Sequence, residues 1–247
     1  MRRRARFDVS RSDAVGSAAG AWPAWAIPVA VMAAAVLGRL PALGAWWCLD
    51  DWGLLARAAG RIEAPAGFPA RWVSQQAWWA LTWPLCGLHA AGQAWLRIAV
   101  HAVAAVTVAR IARRAGLGPT AQLTAGLLLA ATPVAFTPLY WAAGIQELLG
   151  GALALLAIER WQAGGRAGVV AAGVLGVGAI LAKESALALP VFFLGFLLVK
   201  RAPGGADLRL RRAVVVGLAA VAAVEGGWCC GTSPPGRAIR MRLAGRS

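Results

Sequence analysis

Charged residues are scarce in this chain. Asp, Glu, Lys and Arg make up 14% of its 247 residues, whereas a soluble globular domain carries about 25%. Acidic residues are the scarcest, with 10 Asp and Glu against 25 Lys and Arg. A soluble protein of this length needs a polar surface, and these residues are too few to make one. This shortage and the 60% share of hydrophobic residues indicate an integral membrane protein.

Cysteine and histidine are also rare, with four and two residues. No Cys-x-x-Cys pair and no His at metal-ligand spacing occurs, and no glycine-rich nucleotide loop is present. We therefore predict no metal site and no cofactor, with a divalent ion at Asp50 and Asp51 as the open alternative. Cys48 and Cys86 fall on the same predicted side of the membrane, so they form either a disulfide or two free thiols.

The net charge of +15 raises the question of a nucleic-acid partner. The arginines, however, occur in short clusters between apolar runs, as in the cytoplasmic loops of membrane proteins. They do not follow a groove with interleaved polar residues. The predicted partner is the lipid bilayer and not a nucleic acid.

Long apolar runs recur along the chain. About 20 residues of α-helix cross a hydrocarbon core of about 30 Å, and shorter helices are tolerated inside a bundle. We predict an all-α fold, a polytopic transmembrane bundle of about seven helices. The runs are Trp22–Leu40, Ala90–Ile111, Thr120–Trp141, Ile145–Ile158, Ala167–Ala182, Leu187–Val199 and Ala213–Val224.

The positions of Lys and Arg predict the orientation. Alternate loops are basic from the amino-terminal arm onward, which places the amino terminus in the cytoplasm and the first loop on the periplasmic or extracellular side of the plasma (inner) membrane. Residues 1–20 form a basic arm before a signal anchor, and residues 21–225 form the membrane domain. The tail, 226–247, is basic and rich in Pro and Gly on the side where basic segments are unusual. It indicates a truncated or frame-disrupted chain, or a disordered segment.

The first outer loop, residues 41–89, is much longer than the others. Tryptophan prefers the membrane interface, and the segments Asp50–Arg61 and Pro69–Leu85 could form short amphipathic helices on the outer leaflet. We interpret most of the loop's tryptophans as interface anchors. They are Trp46, Trp47, Trp52, Trp72, Trp78, Trp79 and Trp83.

Ionisable residues from four separate outer elements should meet near one membrane face. Such groups are costly at membrane depth and usually face a cavity, so the set predicts an active-site cavity or, alternatively, scattered structural ion pairs. Arg97 and His101 share one helix face because they are four residues apart. The set comprises Asp50, Asp51, Arg57, Arg61, Glu63, Arg71, His89, Arg97, His101, Glu147, Lys183 and Glu184.

Four segments in order resemble a known superfamily. They are "LDDWGLL", the stretch from "RWVSQQAWW" to "VTVARIARR", "ATPVAFTPLYWAAGIQELLG" and "LAKESALALPVFFL". Together they resemble the GT-C glycosyltransferases of bacterial inner membranes that use polyprenyl-phosphate sugars. The nearest branches are the protein O-mannosyltransferase-like enzymes and their relatives with tetratricopeptide repeats. Those proteins usually have ten or more helices, whereas this chain has about seven predicted ones.

The resemblance implies transfer of a hexose or pentose from a lipid-linked donor to an acceptor hydroxyl on the outer face. Asp50 or Asp51 would be the catalytic base, with Asp50 slightly favoured because adjacent side chains point differently. Arg71, Arg97 and Lys183 would bind the lipid phosphate. The positioning residues would be His101, Glu147 and Glu184.

Two other functions remain open from the sequence. A transporter or flippase would explain the helices and the intramembrane charges, although it would predict internal repeats and helices broken by Gly or Pro. A catalytically inactive membrane fragment would explain the short chain and the unusual tail.

Overall fold

The computed structural model describes residues 22–63, 71–199 and 206–230. Within these ranges the protein is all-α, as predicted, and contains no strand. The arm 1–20 and the tail residues 231–247 lie outside the described residues. The helices are α1 (Ala26–Leu37), α2 (Asp51–Ala58), α3 (Trp78–Cys86), α4 (Ala90–Arg114), α5 (Pro119–Ala131), α6 (Phe136–Tyr140), α7 (Ile145–Ala163), α8 (Gly165–Ala182), α9 (Leu189–Val199) and α10 (Ala206–Cys230).

Five helical segments of the described chain are long and apolar enough to cross a membrane. A sixth apolar segment, Glu184–Leu198, is shorter. Each of the seven predicted apolar runs coincides with at least one helix, so the membrane architecture agrees with the sequence, while the number of crossings and the orientation stay predictions. The five segments are Ala26–Gly44, Ala90–Arg114, Pro119–Tyr140, Ala142–Ala163 and Gly165–Ala182.

Helix α4 is the centre of the bundle. It packs against α1, α5 and α7, while α7 packs against α8 and α8 against α10. The buried cluster between α1 and α4 contains small residues of α4, Ala102, Ala105 and Ala109, together with Val31 and Ala35 of α1. Small side chains allow the close helix approach on which packing in lipid depends.

The predicted helix Thr120–Trp141 is broken in the structure. Thr132 is extended, with ψ of 129°, because Pro133 has no N–H and disfavours a helical residue before it. The break exposes carbonyls that cannot be left unpaired at membrane depth. Arg39 Nη2 donates to the carbonyls of Ala130 at 3.1 Å and Thr132 at 2.7 Å.

The long loop begins and ends at the same place. Trp47 Nε1 donates to the carbonyl of Leu88 at 3.0 Å. Between these points lie α2, a π-helical turn (Val73–Ala77) and α3, close to the two predicted short helices. Trp46 and Trp52 are exposed, as interface anchors would be. Trp47 and Trp79 instead form a buried pair with ring centroids 6.4 Å apart.

The two ends of the bundle differ in composition. The tryptophan-rich end comprises residues 38–63, 71–89, 132–144 and 183–188. The arginine-rich end comprises residues 110–118, 159–166 and 206–212. At the second end, Arg211 lies over the ring of Trp161, with 4.9 Å between the guanidinium carbon and the ring centroid.

Gly144 gives a test of the packing at the tryptophan-rich end. A Cβ on Gly144 would lie 2.6 Å from Pro138 Cα, so we expect Gly144→Ala to destabilise the protein by roughly 1–3 kcal/mol. The midpoint of thermal unfolding in detergent should fall. Gly151→Ala is the control, because its Cβ would meet nothing within 4 Å. Equal midpoints for the two variants would contradict the close approach.

Candidate functional site

Asp51 points into the protein. Its side chain is fully buried. Oδ2 accepts a hydrogen bond from the backbone N–H of Cys48 at 2.9 Å, and Oδ1 accepts one from the N–H of Ala143 at 2.6 Å. The carboxylate also interacts electrostatically with the guanidinium of Arg97. Asp51 therefore connects the start of α2 to the turn Ala142–Gly144 and holds the loop on the bundle.

Asp50 is exposed and lines a polar cavity of about 290 Å³. The two adjacent carboxylates thus have different environments, and of the two only Asp50 contributes to the wall of this cavity. The other lining residues come from α2, from the π-helical turn and Arg71 just before it, from the turn Ala142–Gly144 and from the beginning of α7. They are Gly53, Leu54, Arg57, Arg71, Gln75, Ala143 and Gln146.

Two buried atoms in residues of this wall have no hydrogen-bond partner: Arg57 Nε and Gln146 Oε1. Buried polar atoms usually have a partner, so these two atoms leave hydrogen-bonding capacity unused in residues of the cavity wall. Arg57 was predicted to be one of the outer charges, without a role. Gln75 and Gln146 were not predicted, and their only signal in the sequence was their position inside the "VSQQAWW" and "GIQELLG" segments.

Four predicted site residues form one ion-pair network. Arg71 Nε donates to Glu184 Oε2 at 2.8 Å, and its Nη2 also pairs with this carboxylate. Lys183 Nζ lies 3.0 Å from Glu147 Oε1 and 3.2 Å from Glu184 Oε1. The hydrogen bonds from Arg71 hold the pKa of Glu184 at about 2, so the carboxylate stays ionised at neutral pH. This convergence of charges from separate elements was predicted.

A second cavity, of about 490 Å³, lies beside the first and is mostly apolar. Gln146 lines both cavities. The ion-pair network also reaches both, because Arg71 lines the polar cavity and Glu147 lines the apolar one. The apolar walls include Leu129, Val134, Ala135, Pro138, Trp141, Leu148, Ala152 and Leu155. A molecule with a polar head and a hydrocarbon tail would fit this arrangement.

Arg97 and His101 lie on one buried face of α4, as their spacing predicts. Arg97 Nε donates to the carbonyl of Leu139 at 3.0 Å, and Arg97 lines neither of the two cavities. His101 lines the apolar cavity, with Nε2 3.1 Å from the carbonyl of Ala130. Both side chains therefore contact carbonyls of the broken α5–α6 segment.

Backbone strain occurs beside the polar cavity. Among the described residues, Leu49 and Arg71 are the non-glycine residues with positive φ, at 47° and 66°. Such conformations cost about 1–3 kcal/mol and cluster at functional sites. Leu49 precedes Asp50, so the strained backbone lies next to Asp50 and at Arg71, which both line the cavity.

Metal ligands and cysteines give no further site in the part of the chain that the structure describes. No group of three His, Cys, Asp or Glu side chains there could hold a metal ion, and Cys48 and Cys86 are free thiols.

Substitution of the two aspartates should have different effects on the stability of the protein. Asn has one acceptor oxygen, so Asp51→Asn leaves one of the two backbone N–H groups without a partner, at a cost of about 1–3 kcal/mol. Asp50→Asn should change the unfolding midpoint little, because the side chain is exposed. Thermal unfolding of both purified variants in detergent checks this. A larger loss in Asp50→Asn would contradict the assignment.

The Arg71–Glu184 pair predicts a pH dependence. The pKa of Glu184 falls from 4.5 to about 2 on folding, so its contribution is complete above pH 4.5 and is lost as the pH falls toward 2. The stability difference between wild type and Glu184→Gln should be constant from pH 5 to 8 and shrink below 4.5. Partial exposure limits it to about 1 kcal/mol. Unfolding midpoints measured against pH check this, and a difference that varies between pH 5 and 8 would contradict it.

Comparison with known proteins identifies no relative of this chain. No family model, no curated protein and no solved structure matches the chain. The function is therefore argued from the two cavities and the residues that line them.

Proposed function

We propose that this protein is an integral membrane glycosyltransferase that transfers a sugar from a polyprenyl-phosphate donor to an acceptor hydroxyl. One observation carries the proposal: Gln146 lines both the polar cavity, whose wall includes Asp50, and the apolar cavity. A lipid-linked sugar has the matching shape, with its sugar in the polar cavity and its prenyl chain in the apolar one. The proposed location is the plasma (inner) membrane, with the tryptophan-rich end outside and the amino terminus cytoplasmic.

In this mechanism Asp50 is the general base. It accepts the proton of the acceptor hydroxyl while the hydroxyl oxygen forms a bond to the anomeric carbon of the sugar. The bond between that carbon and the phosphate oxygen breaks, and the lipid phosphate leaves with the bonding electron pair. Arg71 and Lys183 stabilise the negative charge that develops on this phosphate. Asp51 positions the loop through its two backbone hydrogen bonds.

The GT-C resemblance supports the same roles. All four segments that carry it supply residues to the cavities or to the network. The segment "LDDWGLL" supplies Asp50, and the stretch from "RWVSQQAWW" to "VTVARIARR" supplies Arg71 and His101. The segment "GIQELLG" supplies Gln146 and Glu147, and "LAKES" supplies Lys183 and Glu184. These segments are far apart in the chain. Their meeting around one pair of cavities is what a substrate site would require.

Asp50→Asn tests the proposed base. The full chain is purified into liposomes with a radiolabelled polyprenyl-phosphate sugar and an acceptor, and sugar transfer is measured. Loss of a general base should lower the rate by roughly 100-fold or more, without a change in the unfolding midpoint. Glu63→Gln is the control, since it removes an exposed carboxylate from the same loop. Wild-type transfer by Asp50→Asn would refute the role.

The broken α5–α6 segment favours a second candidate, a transporter or flippase for a lipid-linked solute. Transporters place broken helices at their substrate sites, and Pro133 breaks this helix beside the apolar cavity, which Thr132 and Val134 line. The same liposomes distinguish the two functions. Movement of the intact labelled donor between leaflets without sugar transfer, at the same rate in wild type and Asp50→Asn, would favour transport.

A further inference from the structure

Three arginines converge on one buried carboxylate at the arginine-rich end. Glu159 is fully buried. Its Oε1 lies 3.0 Å from Arg110 Nη2 and 2.7 Å from Arg114 Nε, and its Oε2 lies 2.7 Å from Arg160 Nε. The arginines come from α4 and α7, and they lie at the carboxyl ends of these helices, where cations are favoured by the helix dipole. We call these four residues the Glu159 cluster.

The Glu159 cluster has more positive than negative charge. One carboxylate faces three guanidinium groups, and Arg110 Nε is buried without a hydrogen-bond partner. The three arginine side chains remain 29–38% exposed, so a ligand can reach them. Arg113 and Arg166 are exposed at the same end. The excess of positive charge is therefore concentrated at one point, where the three arginines pair with the single carboxylate of Glu159.

We propose that the Glu159 cluster binds the phosphate of an anionic phospholipid. The cluster lies at the ends of two helices that are long enough to cross a membrane, which places it at headgroup depth. Basic pockets between such helices bind anionic headgroups, and the planar guanidinium matches phosphate oxygens through paired hydrogen bonds. The site lies at the opposite end of the bundle from the two cavities and does not depend on the proposed sugar transfer.

Glu159 has a defined role in this site. It neutralises one positive charge and holds the three guanidinium groups together in the absence of lipid. If the arginines served only to neutralise Glu159, the cluster would have no preference among lipids. The dependence of binding on lipid charge is therefore the property that distinguishes a lipid site from a purely structural ion-pair cluster.

The test is lipid binding by the full chain in detergent, measured by native mass spectrometry with phosphatidylglycerol, phosphatidylcholine and inorganic phosphate as separate probes. We expect phosphatidylglycerol to bind roughly tenfold more tightly than phosphatidylcholine. Arg160→Gln should lower this preference several-fold, because it removes the most exposed arginine of the cluster. Arg61→Gln is the matched control, since it removes one arginine from the other end of the protein and should leave the preference unchanged.

A second variant covers the case in which Arg160→Gln does not fold. The double variant Glu159→Gln/Arg160→Gln removes one charge of each sign and should also lose part of the preference, whereas Glu159→Gln alone should keep or increase it. Equal binding of the two lipids by wild type would overturn the proposal, as would an unchanged preference in Arg160→Gln. Displacement of the lipid by equimolar inorganic phosphate would also overturn it, in favour of a site for the soluble ion.

Discussion

The buried carboxylate of Asp51 is the constraint on which the geometry of the candidate site depends. Its two oxygens accept hydrogen bonds from backbone groups at Cys48 and Ala143, which belong to segments far apart in the chain. One side chain thereby fixes α2 against the turn that starts α7. The same contact holds Asp50 and Gln146 in the wall of one cavity, so this wall is positioned by a residue that does not itself line the cavity. A charge that is costly to bury is retained here because both of its oxygens are paired.

Much of the fold could be predicted from hydrophobicity alone, because a helix in lipid needs a continuous apolar run. At the tryptophan-rich end, the predicted runs and the helices share their terminal residues: α4 begins at Ala90, α7 begins at Ile145 and α8 ends at Ala182. The break at Pro133 was missed, since a long apolar run conceals a proline whose effect depends on partners elsewhere. Those partners, Arg39 and His101, are distant in sequence. The burial of Trp47 was missed for a similar reason, because composition cannot distinguish a tryptophan in a core from one at an interface.

The sequence predicts which charged residues meet at the candidate site, but it does not predict what each of them does there. In a strongly apolar chain, the few acidic and basic side chains have to pair with one another or face water. The predicted helix boundaries put Arg71, Glu147, Lys183 and Glu184 at the same end of the bundle, so their pairing could be expected. Which of two adjacent aspartates faces the cavity depends on backbone angles at Leu49, and no pattern of residue types contains that information. Gln146 was missed because an uncharged amide gives no electrostatic signal, although it lines both cavities.

The hydrogen bond between Trp47 and Leu88 has a consequence for how such a protein can change. Because this hydrogen bond joins the two ends of the long loop, the loop is closed on itself and is attached to the bundle at a fixed point. The entropy of closing such a loop rises only slowly with its length, by about 0.6 kcal/mol for each doubling. Insertions at exposed positions of the loop would therefore cost little and leave the helices beneath it undisturbed. The residues that tie the loop to the bundle, Asp51 and Arg71, have to stay in place, so the length of the loop can vary between them while the lipid-embedded scaffold stays the same.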